Sequence, residues 1–385
     1  MIKLLSRVVA GLVLGLAGGT NGAAGADRSP AVAAAIERSP AVDRAAVAQV
    51  LDEAGGNAGS LAGAIMNAPD DDQRGAVAFL IAHLPAPDRT TLSGDYLLNN
   101  VAYAFKARAA TPWAKAVPLE LFYNDVLPYS SINERRDDWR ADFYNRFIAI
   151  ARAAPSASEA AGRLNVAVFD TLNVHYHATK RPKPDQSPYE SKEAGFASCT
   201  GLSILLIDAC RAVGIPARMV GTPRWTTQRG NHTWVEVWDR EWSFVGACEP
   251  SRFNEGWFTD QAGKADETKP EHRIYAASFK EALNHFPLVW RPDDHAYPAE
   301  DVTRRYTMRR KVTFRLPKGS APGSITVRHD GRIVAQSPID PTASFELPGD
   351  TAYEVELRIA CKPSQSFRMV KLTDEVDQVI PLNPL

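Results

Sequence analysis

A chain of 385 residues, 45% hydrophobic, with 44 Lys and Arg against 45 Asp and Glu (formal net charge −1), is long enough for two or three domains and more than one apolar core. That charge balance gives no basic excess for nucleic acid and no long acidic or basic run. Neither an aromatic-laced basic patch nor a phosphate-cradling glycine loop occurs.

Taken in chain order, the N-terminus comes first. Lys3 and Arg7 flank the start of an apolar run over 8–17, which is too short to span a bilayer comfortably. Ala24-Gly25-Ala26 then offers a small-x-small cleavage pattern. Residues 1–26 read as a secretory signal cut before Asp27, giving a periplasmic or extracellular protein. The alternative is an apolar anchor that is retained. No cysteine follows closely, which argues against a lipoprotein, and no later segment approaches the length of a membrane span.

Residues 27–60 are rich in alanine and polar residues and contain Arg-Ser-Pro-Ala-Val twice. They read as a flexible leader passing into a helix around 44–53. Residues 61–160 read as a helical region, with apolar residues at helical spacing over 72–84, 93–110 and 137–154. Ser156-Ala157-Ser158-Glu159 is a capping sequence for a helix continuing to 171. The polar, proline-rich 180–195 reads as a loop.

From Cys199 to Val213 the sequence CTGLSILLIDACRAV is apolar nearly all round, as in a buried helix. Ser198 is a good N-cap and Gly214 a good stop, so Cys199 opens the helix. There the partial positive charge of the helix end favours the thiolate, the reactive form. A lone cysteine at such a place is most often a small core residue. The segment 217–222 reads as a strand and 231–239 as another, with Thr233, Val235 and Val237 on one face and His232, Trp234, Glu236 and Trp238 on the other.

The chain returns over 242–249. A two-residue turn pairs 239 with 242 and sets Glu249 opposite His232, grouping Val235 and Val237 with Trp242 and Phe244. A three-residue turn would set Cys248 opposite His232 instead. The first register is preferred for its apolar face. A helix is expected near 275–284. Beyond 301, short alternating stretches separated by Gly and Pro turns read as a small antiparallel β-sandwich over 301–385.

Cys199, His232 and Glu249 therefore converge as nucleophile, base and orienting acid, with Asp260 in reserve for the acid. Three runs carry a family resemblance: Ser198-Cys199-Thr200-Gly201, then Arg211-Ala212-Val213-Gly214-Ile215-Pro216-Ala217-Arg218, then His232-Thr233-Trp234-Val235-Glu236-Val237. Over about 160–260 the chain resembles the transglutaminase-like superfamily. The resemblance implies an α+β, papain-like core over 161–300, a cysteine helix packed on an antiparallel sheet. It gives Cys199 the nucleophile's part and His232 the base's. Glu249 stands where the family usually has an aspartate before proline, one methylene longer.

The implied activity is acyl transfer through a thioester, on a protein, peptide or amide substrate. Hydrolysis is favoured over cross-linking because water always competes. Thiolate and imidazole suffice without a cofactor or metal, and the acidic clusters of the family's calcium-dependent members are not found. A binding or scaffold module that keeps the fold without turnover is the alternative. A third reading, a metal hydrolase using His175 and His177, lacks a third ligand nearby.

The remaining residues have plainer readings. The backbone N–H of Cys199 is the preferred oxyanion donor, ahead of Gln186. Trp234 and Trp242 read as sheet packing, Arg218 as a structural bridge to a carboxylate and Glu236 as surface. The four cysteines, Cys199, Cys210, Cys248 and Cys361, form neither a disulfide framework nor a zinc pattern, although a Cys210–Cys248 bridge is conceivable. Nothing in the sequence fixes the oligomeric state.

Overall fold

The computed structural model describes residues 28–249, 251–307, 309–329, 332–348, 353–359, 365–368 and 377–382. The signal segment expected at 1–26 and Cys361 lie outside the described residues.

Six helices open the chain: α1 (Pro30–Arg38), α2 (Arg44–Glu53), α3 (Ala58–Asn67), α4 (Asp71–Ala82), the single turn α5 (Ala86–Arg89) and α6 (Gly94–Arg108). Local chemistry starts them. The Asp70 carboxylate accepts from Gln73 N at 2.8 Å, and Ser93 Oγ accepts from Tyr96 N at 3.2 Å, each satisfying a free N–H of a first turn. Their apolar faces close one core around Val47, Leu61, Ile65, Leu80 and Leu97. The expectation of a flexible leader over 27–60 is corrected here. Val32, Ala35 and Ile36 of α1 and Val47, Val50 and Leu51 of α2 are buried in that core, and Arg28 Nε reaches Asp52 at 2.8 Å. The helix over 44–53 falls where its sequence put it.

Two short turns, α7 (Pro112–Lys115) and α8 (Leu119–Leu121), lead through a π-turn at Phe122–Val126 to α9 (Arg140–Arg152) and α10 (Ala157–Leu172). Both pack on the cysteine helix and share its core through Phe143, Phe147, Leu164 and Val168. The boundary expected at 160 thus falls inside a helix of the core. Arg140, fully enclosed, ties the two halves together. Its guanidinium donates to Asn100 Oδ1 on α6 at 2.5 Å, to Arg211 O at 3.1 Å, and to the carbonyls of Val126, Leu127 and Pro128.

Strand β1 (His175–Tyr176) pairs in parallel with β2 (Phe196–Ala197). Between them the expected loop holds a helix, α11 (Pro188–Ala194), because Ser187 and Glu190 form a reciprocal capping box. The cysteine helix α12 (Cys199–Ala212) follows, stopped by Gly214 at φ 91°.

Next come β3 (Ala217–Thr222), β4 (His232–Asp239), β5 (Glu241–Val245), the turn α13 (Thr259–Ala262), β6 (Tyr275–Ala277), β7 (Asn284–His285) and β8 (Pro298–Asp301). They form a six-stranded sheet in the order β5-β4-β3-β6-β8-β7. One face carries α12 over Met219, Val235 and Val237. The other carries an aromatic cluster of Trp225, Trp234 and Phe258. The helix expected near 275–284 is replaced by strands, since β6 lies between β3 and β8 and all three of its residues are buried.

After the turn α14 (Thr303–Tyr306), strands β9 (Arg309–Arg315), β10 (Gly323–His329), β11 (Arg332–Ile339), β12 (Thr342–Pro348), β13 (Glu354–Ile359), β14 (Gln365–Arg368) and β15 (Asp377–Pro381) form two sheets, β11-β10-β13-β14 and β12-β9-β15. They close over Val312, Phe314, Ile325, Val327 and Leu357 as a sandwich. The whole is α+β, with helices and largely antiparallel sheets segregated along the chain; the sandwich expected to be antiparallel has one parallel pair, β15 beside β9.

Candidate active site

The N-terminus of α12 is built by Ser198. Its Oγ accepts from Thr200 N at 3.1 Å and Gly201 N at 3.2 Å, and donates to Pro184 O at 2.7 Å, fixing the proline-rich loop over the helix end. Cys199 is the first helical residue, as its sequence predicts, and is half-buried. Its own N–H carries no hydrogen bond among the described residues, which leaves it free to receive an oxyanion.

The helix end is fastened to β4 at one point. Thr200 Oγ1 meets Thr233 Oγ1 at 3.2 Å, and Ser203 Oγ donates to Thr233 O at 3.4 Å. The Cys199 sulfur lies near the same peptide, close enough for the polar groups of Thr233 and Thr200 to favour its charged form. These groups and the Arg181 guanidinium favour the thiolate. Burial outweighs them and pushes the thiol above its usual range.

His232 precedes Thr233, so its side chain leaves the strand toward the opposite face. There it sits among four aromatic rings: Trp257 at 4.7 Å, Phe258 at 4.8 Å, Trp234 at 5.7 Å and Trp225 at 6.2 Å between centroids. Its Nε2 is buried without a hydrogen-bond partner among the described residues. Burial alone pulls the imidazole down to about 3, so it is neutral at physiological pH. Sulfur and imidazole thus approach neighbouring residues of one strand without a hydrogen bond between them. The resting site holds a neutral thiol and a neutral imidazole, not an ion pair.

The register expected to place Glu249 opposite His232 is corrected. Trp238 pairs with Trp242 and Asp239 with Glu241, one residue off the preferred pairing. Arg240 makes the turn at φ 67°. Val235 therefore faces Val245, and Val237 faces Ser243, while Phe244 and Trp242 lie opposite Glu236 and Trp238. Continued, that register would bring Cys248 to His232, but the ladder ends at Val245.

Asn165 of α10 holds the following loop instead. It donates to Gly246 O at 2.9 Å and Glu249 O at 3.1 Å, and accepts from Cys248 N at 2.9 Å. The Glu249 carboxylate accepts from Trp257 Nε1 at 3.0 Å rather than from His232, and burial raises it above the usual carboxylate range. Trp257 is 59% exposed and stands with its ring on His232 and its N–H on Glu249. Asp260 is exposed on α13 and makes no hydrogen bond to His232 among the described residues. Trp257 is what the sequence reading missed, and its signal is a tryptophan between Gly256 and Phe258 in a loop.

Gln186 Nε2 is engaged by Phe196 O at 3.0 Å, which removes it as an oxyanion donor in this state. Arg218 bridges Glu236 at 2.9 Å and Glu300 at 3.0 Å. Glu236, expected at the surface, is buried, and also holds Tyr306 Oη at 2.7 Å and Arg305 at 3.2 Å. Trp234 is fully buried and donates to Tyr306 Oη. The Trp242 ring lies under the Arg218 guanidinium at 4.0 Å. His177 Nδ1 accepts from the N–H groups of Thr179 and Lys180, and His175 Nε2 meets Asn173 Oδ1. No group of three metal-type side chains gathers among the described residues. Cys210 and Cys248 are both free thiols.

No curated protein matches the chain in sequence. One solved structure, titled "Putative Cysteine Protease" and from Cytophaga hutchinsonii, is similar at 22% identity over 29% of this chain, with a TM-score of 0.23. The match spans 37% of that structure's own length. Residues 145–257 match the model of the transglutaminase-like superfamily. That segment contains both the helix of Cys199 and the strand of His232, and it is what this chain shares with the superfamily.

Proposed function

We propose that this protein is an exported cysteine-nucleophile hydrolase that opens a peptide or carboxamide bond through a thioester on Cys199. The observation that carries the reading is the N-terminus of α12. A thiol there lies beside a free backbone N–H, and the helix end is stitched to the strand that begins with His232. The sulfur adds to the carbonyl carbon, and the oxyanion is received by the Cys199 N–H. The thiol proton passes to His232 and then to the departing amine as the carbon–nitrogen bond breaks. Water next attacks the thioester, giving its proton to His232, and the acid leaves as the thiol is restored. An amine in place of water would give transamidation.

For His232 to serve, its ring must turn out of the aromatic surround toward the sulfur. Trp257, the exposed member, is the side chain that can give way. Once its indole leaves, the Glu249 carboxylate loses its donor and can orient the imidazolium. Glu249 is thus assigned the orienting role in the working state only. The N-terminal signal pattern at 1–26 supports export.

The buried, unpartnered Nε2 of His232 favours a second reading, a transglutaminase-like binding module without turnover. Screening the purified protein against peptide and carboxamide libraries decides between them. New amino termini or free carboxylates, absent with Cys199→Ala and strongly reduced with His232→Ala, are the expected result. Product formation unaffected by Cys199→Ala would overturn the proposal.

A further inference from the structure

A guanidinium without a partner stands close to the candidate nucleophile. The chain between β1 and α11 leaves the start of α12 and returns to it. His177 N donates to Ala197 O at 2.9 Å, and Pro184 O accepts from Ser198 Oγ at 2.7 Å. Both ends of the span 178–183 are therefore pinned to the two residues that precede Cys199. The His177 ring fixes the turn between them, its Nδ1 accepting from Thr179 N at 3.1 Å and Lys180 N at 3.0 Å. Arg181 lies three residues before Pro184, which keeps its backbone within about 10 Å of that anchor. Its charge acts on the Cys199 sulfur.

The span is cationic. It holds Lys180, Arg181 and Lys183 and no acidic residue. The first turn of α12, a helix of 14 residues, adds its partial positive charge. Acids later in the same segment are engaged elsewhere: Glu190 takes Lys183 at 2.9 Å, and Asp185 accepts from Asn133 at 2.7 Å.

Among the described residues Arg181 makes no ion pair, and its Nε is buried with no hydrogen-bond partner. A guanidinium N–H shielded from water and left unpaired is costly. The residue as a whole is partly exposed, so an incoming group can reach it. A planar fork of donors matches a carboxylate in shape and charge.

We propose that Arg181 is a specificity residue, receiving a carboxylate of the substrate close to the carbonyl that Cys199 attacks. The proposal rests on the reading of Cys199 as nucleophile and gives that reading a substrate class. The substrate is a peptide with an acidic side chain, or a free terminal carboxylate, near the bond that opens. An extended chain advances about 3.3–3.6 Å per residue, so the carboxylate falls within about three residues of that bond.

Two sets of probes separate the sources of the carboxylate. Triglycyl chloromethyl ketones carry a single Glu or a single Gln at each of the three positions. Rates of Cys199 modification are read by intact mass and normalised to the iodoacetamide rate of the same protein. Glycine-rich hexapeptides bearing an uncharged dye carry an internal Glu or Gln, or end in a free carboxylate or a carboxamide. Their binding to the Cys199→Ala protein is read by fluorescence anisotropy.

In at least one pair the acid should outdo its amide by about tenfold or more, the worth of one charge-assisted contact. That advantage should fall to near one in Arg181→Gln, return in part in Arg181→Lys, and shrink as salt is raised. Circular dichroism confirms that the variants are folded. Acid and amide behaving alike in every pair, or an advantage that Arg181→Gln leaves intact, would overturn the proposal. So would a loss in Arg181→Gln that strikes acid and amide equally, the mark of a purely structural side chain. Failure of the nucleophile reading shows separately, as ketone labelling of Cys199 that is the same in His232→Ala, while peptide binding to Cys199→Ala still reports on Arg181.

Discussion

Replacing Trp257 by alanine should return His232 toward ordinary titration. The imidazole is held at about 3 by burial, against an ordinary value of 6.5. That gap corresponds to about 5 kcal/mol against the charged ring. Of the four rings around it, Trp225, Trp234 and Phe258 are at most 4% exposed, whereas Trp257 is 59% exposed. Removing Trp257 therefore opens a path for water without dismantling the core. It also strips the indole donor from Glu249, leaving a carboxylate near the newly wetted ring. Both changes favour the imidazolium, so a rise of at least about one unit, roughly 1.4 kcal/mol, is expected. Imidazole proton resonances followed over pH would measure it, with His232→Asn identifying the signal and circular dichroism confirming the fold. A folded Trp257→Ala protein whose His232 still titrates near 3 would refute the idea that this ring controls the histidine.

Three further expectations concern stability. A histidine buried neutral adds nothing unfavourable above its unfolded value of 6.5. Below it the unfolded chain takes a proton that the native one refuses. Stability should therefore fall by up to about 1.4 kcal/mol per pH unit from 6.5 down to about 3 on account of His232, and urea melts should show a shallower fall with His232→Phe. Arg140→Met strips donors from Asn100 and four buried carbonyls and should cost about 3–5 kcal/mol in urea denaturation, uncoupling α6 from α12; a loss under about 1 kcal/mol would contradict the tie described for it. Asn165→Ala frees the 246–249 loop from three hydrogen bonds and should cost about 2 kcal/mol, with faster amide exchange at Cys248; unchanged exchange there would argue against Asn165 as its anchor.

What the sequence disclosed is what local chemistry determines. Ser198 caps its helix wherever that helix is placed, and the apolar run behind Cys199 demands burial, so α12 was legible from end to end. The alternation in β4 separated Thr233 from His232 correctly. The hairpin register was hidden because Arg240, not glycine or asparagine, makes the turn at positive φ. Slipping by that one residue took Glu249 out of line with His232. Glu236 looked like a surface charge because its partners Arg305 and Tyr306 arrive from much later in the chain. Likewise α1 looked like part of a leader until α3 supplied a face to bury it. The two residues β7 and three residues β6 read as helix because strands that short are fixed by their neighbours, not by propensity.

The most direct test of Cys199 and His232 as a working pair is mass spectrometry of the intact protein, quenched during turnover of peptide and carboxamide mixtures. An acyl adduct mapped to Cys199, missing in Cys199→Ala and failing to build up in His232→Ala, is the predicted result. Turnover with no adduct at Cys199, or an adduct there that forms equally fast without His232, would contradict it.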